Sequence, residues 1–153
     1  MTSLTSRVGN LMGRALNKTH ATVYRRSDGR VWGTMFGGPV LLLNTTGRKS
    51  GHPRMNPLLY VKDGEDFVLI ASNGGASSHP AWYLNLRTNP DATVEFGERK
   101  VRVRVEEVDG EEKARLWQKM VAMYSSYDDY QEKTDREIPL LVLHPIDWQR
   151  GPS

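Results

Sequence analysis

Apolar and polar residues change period along this chain, and the changes mark its elements. Over residues 4–26, Leu4, Val8, Leu11, Met12, Ala15, Leu16 and Val23 share one face at helical spacing. Arg7, Arg14, Lys18 and Arg25 form a stripe beside that face. Gly9 and Gly13 weaken the helix by about 1 kcal/mol each. Asp28-Gly29-Arg30 and the glycines Gly33, Gly37 and Gly38 then mark a turn-rich connection, with a short strand at Val31–Met35. From residue 40 the spacing becomes that of strands. Val40–Thr45, Arg54–Lys62 and Asp66–Ala71 follow closely, the last two joined by an Asp63-Gly64 hairpin that Glu65 lengthens.

A short helix is predicted over Pro80–Arg87, capped by Ser78 or His79 and stopped by Asn89-Pro90. Ala92–Phe96 and Lys100–Val108 form the next hairpin, turning at Gly97-Glu98. In the second of these strands Val101, Val103 and Val105 alternate with Lys100, Arg102 and Arg104. One face is therefore wet, which points to an antiparallel sheet or a barrel wall. Residues 110–123 read as a helix, with Glu111 and Glu112 in its first turn and Lys119 in its last. A broken helical stretch, Tyr124–Lys133, and a strand at Pro139–Leu143 complete the pattern. The sum is a five- or six-stranded antiparallel barrel or bent sheet with three or four helices, class α+β or mainly β. Residues 1–30 are expected to form an N-terminal amphipathic helix, mobile or membrane-associated, ahead of a single barrel domain over 31–153.

Composition excludes several classes. The chain has 153 residues, 38% hydrophobic and 25% charged, as expected of one soluble domain. No stretch approaches the ~18 apolar residues that a membrane span needs, and the N-terminus lacks a signal-peptide core. Cysteine is absent, which removes disulfides, thiolate nucleophiles and thiolate-bound metals and fits a reducing cytoplasm. The net charge of +3 hides an asymmetry, because residues 1–60 hold nine Lys/Arg against one acid, Asp28. That half suits an acidic ligand or an anionic membrane surface.

Three clusters carry candidate chemistry. Arg48, Lys49, His52 and Arg54 sit in a glycine-bracketed turn directly after an apolar strand. Exposed backbone N–H groups and guanidinium forks there suit phosphate or carboxylate, although a solvated hairpin turn has the same composition. Ala71-Ser72-Asn73-Gly74-Gly75-Ala76 runs from a strand into the short helix, where small residues admit a ligand close to the backbone. An ordinary glycine-rich connection reads the same way, and Trp82 just beyond it reads as core. Tyr124, Tyr127 and Tyr130 recur at helical spacing among Asp128, Asp129, Glu132 and Asp135. An aromatic stripe packing a helix would show this spacing too, but phenols need partners and the acids are too polar for pure core. A tyrosine-lined lid fits both. The chain has no Rossmann glycine pattern, P-loop frame, nucleophile elbow or metal-ligand spacing among its four histidines.

Taken together, LLLNTTGRKSGHPRMNPLLY at 41–60, ASNGGASSHPAWYLNLRTNP at 71–90 and MYSSYDDYQEKTDREIPLLVLHP at 123–145 resemble the deazaflavin-dependent nitroreductase family of actinobacteria. The resemblance implies a split antiparallel β-barrel of FMN-binding type with peripheral helices. It also implies coenzyme F420 as cofactor, a 5-deazaflavin with a phosphate and an oligoglutamate tail. Carried over by position, phosphate and tail fall to Arg48, Lys49, Ser50, Gly51 and Arg54. The rest of the implied cofactor site is Asn56, Pro57, Ala71, Ser72, Asn73, Gly74, Trp82, Tyr83 and Asn85. Asn73 stands where the family often has lysine, and Leu59 precedes Tyr60 where some members have tyrosine. The substrate side, and with it the implied catalytic groups, is Ser72, Tyr124, Tyr127 and Tyr130.

The expected activity is F420H2-dependent hydride transfer to a planar electron-poor acceptor such as a quinone, enone or nitroaromatic. Two other classes are weighed against it. An FMN-dependent oxidoreductase of the same barrel type would not need the extra cations of the basic turn. A non-catalytic deazaflavin-binding or membrane-docking protein would show no turnover with reduced cofactor. Nucleic acid is a poor partner, because no aromatic platform interleaves Lys100, Arg102 and Arg104.

Overall fold

The computed structural model describes residues 38–146. The helix expected over 4–26, the strand at Val31–Met35 and the boundary at residue 30 lie outside the described residues. Within them run β1 (Val40–Thr46), β2 (Pro53–Leu59), β3 (Val61–Asp63), β4 (Asp66–Ile70), α1 (Ala81–Thr88), β5 (Ala92–Phe96), β6 (Arg99–Val108), α2 (Gly110–Met123), α3 (Ser126–Glu132) and β7 (Leu140–Pro145). A 3-10 turn at Asn73–Gly75 precedes α1.

The strands form one antiparallel sheet in the order β2-β1-β5-β6-β7-β4-β3. It has seven strands rather than five or six, because the expected strand over Arg54–Lys62 divides at Tyr60. That division closes the fold. β2 and β3 lie at opposite ends of the strand order, yet only Tyr60 separates them in sequence. One residue spans only about 3.5 Å, so the sheet curls until its edges meet there. The Tyr60 N–H donates to the Pro39 carbonyl at 3.1 Å and fixes the corner. β6 supplies the other bend. Its first half pairs with β5, its second half with β7, and both ladders meet at Val103.

Two cores explain the apolar patterns. The alternation of β6 buries Val101 and Val103 inside the curl, with Leu41, Leu43, Phe67, Leu69, Val94, Leu141 and Leu143. β4 and β7 read as unbroken apolar runs because both their faces are covered. Val68, Ile70, Leu140 and Val142 point the other way and pack against Leu116 and Met120 of α2 and Ile138. Burying Leu116 and Met120 contributes about 1.5–3 kcal/mol each. Arg115 pins this helix to the β3–β4 hairpin through a two-pronged bond to Asp63, at 3.1 and 2.8 Å. That bond, before any other influence, holds the Asp63 carboxyl down at about 2.

Local details differ from expectation in three places. α1 has Pro80 at its N-cap with no side-chain capping bond, so neither Ser78 nor His79 caps it. Lys119 lies short of the last turn of α2 and bonds the Lys62 carbonyl and Asp63 instead. The β3–β4 hairpin turns on Gly64 and Glu65, with Asp63 paired to Asp66. Gly64 adopts the positive φ that this two-residue turn requires.

Candidate functional site

The basic turn is built by its own small residues. The Gly47 N–H donates to the His52 carbonyl, and the Gly51 N–H to the Gly47 carbonyl, both at 2.8 Å. Ser50 Oγ accepts from the His52 N–H at 3.1 Å and from Arg54 Nη2 at 3.3 Å. A Cβ on Gly47 would lie 2.8 Å from Ser50 Oγ and 3.2 Å from the His52 carbonyl, so a side chain there would displace the Ser50 hydroxyl from the bonds it accepts. Arg48, Lys49 and Arg54 stand exposed, and no carboxylate among the described residues pairs with them. Three cations within seven residues repel one another and gain from an anion.

Asn85 of α1 fixes where this turn sits. Its buried amide is used at both ends, with Oδ1 accepting from the Arg48 N–H at 3.0 Å and Nδ2 donating to the Thr45 hydroxyl at 3.3 Å. A buried amide left unpaired costs about 1–3 kcal/mol, so the arrangement is strongly held. Trp82 and Tyr83 of the same helix lie in the core at 5% and 4% exposure. The Tyr83 hydroxyl donates to Glu107, and burial, reinforced by that bond, pushes the phenol up to about 12. Asn56 and Pro57 lie half-buried on β2, paired with Leu43 and Leu42.

The Ser72 loop reaches α1 from the other direction. Asn73, Gly74 and Gly75 take positive φ values of 48°, 64° and 82°. The Gly75 N–H donates to the Ser72 carbonyl at 2.9 Å, and the Ala76 N–H to the Asn73 carbonyl at 3.1 Å. The N–H groups of Ser72, Asn73 and Gly74 have no hydrogen-bond partner among the described residues. Ser72 is right-handed (φ −74°) and Asn73 left-handed, the alternation that turns successive N–H groups toward a common anion. The Asn73 side chain donates to the Ser78 carbonyl at 3.1 Å, so it braces the loop.

The tyrosines meet this loop from α3. Gly75 lies so close to Tyr130 that a Cβ would come within 2.9 Å of the Tyr130 carbonyl. Tyr124 is not on the same helix as its companions but caps the C-terminus of α2. Its hydroxyl is nevertheless 3.1 Å from that of Tyr130. This bond lowers the Tyr124 pKa and raises that of Tyr130, and either hydroxyl can donate in it. Tyr127 differs. It is 5% exposed, packs edge-on against Tyr124, Tyr130 and Trp117, and burial raises its pKa.

Arg136 joins these parts and was not singled out from the sequence. Its guanidinium donates to the carbonyls of Ser72 at 2.7 Å, Ala76 at 2.8 Å and Ala71 at 3.3 Å. Nη1 also lies 3.0 Å from His79 Nδ1, which must accept. Burial lowers the His79 pKa, and the charges of Arg136 and Arg87 lower it further against Glu107, so the imidazole is neutral. Gln131 of α3 holds this segment by donating to the Arg136 carbonyl and accepting from the Ile138 N–H. No pattern in the sequence marks Arg136, since three of its four partners are backbone carbonyls and all lie about sixty residues away.

Comparisons with known proteins converge on one family. The sequence profile described as F420H(2)-dependent quinone reductase matches residues 16–145. A Mycobacterium tuberculosis protein named F420H(2)-dependent quinone reductase is 38% identical over 136 residues, covering 86% of this chain and 91% of that protein. The solved F420-H2-dependent reductase FDR-A superposes with a TM-score of 0.64 at 38% identity, over 69% of this chain and 94% of its own. The haem storage protein HutZ of Vibrio cholerae shares the fold alone, with a TM-score of 0.54 at 17% identity over 70% of this chain and 81% of its own.

Proposed function

The chain belongs to the F420H(2)-dependent quinone reductase family, and from that premise we propose that its basic turn, Ser72 loop and tyrosine pair together form the active site. It is an F420H2-dependent oxidoreductase with a split-barrel fold, and its acceptor is of the quinone type. One observation carries the site assignment. Asn85 ties the unpaired cations of the basic turn to the helix that follows the Ser72 loop, so cations and free amides belong to one continuous support. The residues fit F420: Arg48, Lys49 and Arg54 offer charge to the phosphate and carboxylates, and the small Gly74 leaves its backbone open. When bound, reduced F420 supplies two electrons as hydride.

The protein's part is binding and charge stabilisation. The Ser72 hydroxyl and the Tyr124 proton are the donors assigned to the acceptor oxygen that gains negative charge. The hydrogen bond to Tyr130 makes that proton easier to give up. Asn56 and Pro57 border the cofactor from β2, while Trp82, Tyr83 and Asn85 act from within the fold by holding α1. The acceptor range includes enones and nitroaromatics, which share the planar, electron-poor form of a quinone.

Cofactor binding tests this assignment. Charge-assisted contacts contribute about 1.5–3 kcal/mol each, so Arg54→Ala or Arg48→Ala should weaken F420 roughly tenfold or more. Raising salt should weaken it too, because exposed contacts are screened. A titration comparing F420 with FMN decides between cofactors, and tighter FMN binding would reject the assignment.

Among the described residues no helix is long and apolar enough to cross a membrane. A peripheral contact is a further part of the proposal. The first 27 residues hold no acid, and their arginines suit an anionic lipid surface. Deletion of residues 1–25 should abolish binding to anionic vesicles and leave reduction of a soluble quinone within about threefold, by analogy with surface-anchored helices. Equal vesicle binding by the truncated chain would dismiss the contact.

A further inference from the structure

Arg136 spends a full positive charge on neutral partners. Its four hydrogen-bond partners are the carbonyls of Ala71, Ser72 and Ala76 and the unprotonated nitrogen of His79. No carboxylate among the described residues forms an ion pair with it. Glu137 pairs with Lys113 at 3.1 Å. The guanidinium fork therefore serves the loop, because five fixed donors can hold three carbonyls that a point charge cannot.

The consequence lies on the loop's other side. A peptide unit whose carbonyl is turned one way presents its N–H roughly the opposite way. Holding the carbonyls of Ala71 and Ser72 on Arg136 thus turns away the amides of Ser72 and Asn73. Those amides, with that of Gly74, are the ones without partners among the described residues. Of the three successive residues with positive φ, Asn73 alone carries a side chain into the left-handed region, and Arg136 braces that strained turn together with the Asn73 side chain and the Gly75 and Ala76 amides.

We infer that Arg136 is a positioning residue for the reduction, holding the Ala71–Ala76 backbone so that the loop's amides and the Ser72 hydroxyl are set toward the reacting oxygen. This rests on the reading that the Ser72 loop lines the active site. Arg136 touches neither cofactor nor acceptor; it acts through the loop. Its charge also lies directly behind those amides, so loop and cation favour the same developing negative charge.

The test uses the full chain loaded with reduced F420 and a soluble naphthoquinone. Arg136→Ala should lower kcat at least thirtyfold, with the F420 dissociation constant changed less than threefold. Millimolar guanidinium should restore at least tenfold of the loss, and equal concentrations of urea or sodium chloride should not. Arg136→Lys keeps the charge without the fork and should lower kcat about tenfold while its melting temperature stays near wild type. If Arg136→Ala does not fold, this second variant decides alone. Wild-type kcat in Arg136→Lys, or a loss in Arg136→Ala that guanidinium leaves unchanged, would overturn the inference. Ser72→Ala, measured alongside, separates the two levels. A tenfold loss there with wild-type kcat in Arg136→Lys keeps the site and dismisses the clamp. Wild-type kinetics in Ser72→Ala with a guanidinium-rescued loss at Arg136 dismisses the hydroxyl and keeps the backbone role.

Discussion

Tyr124→Phe should lower kcat/KM for a soluble quinone by about 10- to 100-fold while leaving F420 affinity within about threefold. The hydroxyl pair makes the three tyrosines unequal. The Tyr124 and Tyr130 hydroxyls share a hydrogen bond at 3.1 Å, which lowers the Tyr124 pKa. Tyr124 thereby becomes a proton and hydrogen-bond donor tuned by its neighbour. Loss of one donor to a developing oxyanion costs about 2.7–4 kcal/mol where water is excluded. Tyr124 is half-buried, which puts the expected loss below that range. Tyr130→Phe removes only the polarising bond and should cost about tenfold in kcat/KM. Tyr127→Phe is the control. Its phenol is 5% exposed and has no hydrogen-bond partner among the described residues. Removing a buried, unpaired hydroxyl relieves up to about 1 kcal/mol, so this variant should melt slightly higher with near-normal turnover. Steady-state kinetics of the three variants beside their cofactor dissociation constants decides the matter. A large loss confined to Tyr127→Phe would reverse the assignment.

Gly75→Ala should destabilise the protein by about 2–4 kcal/mol and Gly74→Ala by about half as much, although the residues are neighbours. Both glycines have left-handed φ, 64° at Gly74 and 82° at Gly75, so any side chain meets backbone strain of about 1–2 kcal/mol. They differ in space. Nothing lies within 4 Å of a Cβ on Gly74, whereas one on Gly75 would approach the Tyr130 carbonyl at 2.9 Å and Tyr130 Cα at 3.1 Å. Those are backbone atoms of α3 and cannot swing aside. The helix must move, taking Tyr130 away from Tyr124. Gly75→Ala should therefore lose turnover as well as melting temperature, by about 8–15 °C on the usual scaling for a chain of this size. Gly74→Ala should lose about 5 °C and keep the tyrosine geometry. Thermal melts of both variants check the difference, and equal melting temperatures would show that α3 yields freely.

Much of this architecture was legible in the sequence because it follows from local chemistry. Alternating valines and basic residues in Lys100–Val108 require a strand with one wet face, and β6 has that form. Acids in the first turn and apolar residues four apart predict a helix over 110–123, and α2 covers those residues. Glycines around Arg48 and Lys49 require a tight turn bearing cations, wherever the rest of the chain goes. The family likeness, too, rests on short segments that a sequence displays directly.

The tertiary structure decided what joins those segments. Barrel closure depends on a break at Tyr60, a residue that fits a strand as well as it fits a corner; only the meeting of two distant sheet edges selects the corner. Asn85 looks like any polar position on a short helix until β1 brings the Arg48 amide within 3.0 Å. Arg136 is one charge in an acidic stretch until Ala71, Ser72 and Ala76 present their carbonyls to it. Tyr124, Tyr127 and Tyr130 share one spacing, yet the chain leaves the helix at Tyr124, buries Tyr127 and pairs the outer two. The sequence by itself determined the elements, the charged turn and the residue types of the site. Only the packing determined which of them act on one another, because backbone groups carry no side-chain signature and partners some sixty residues apart become neighbours only when the sheet closes.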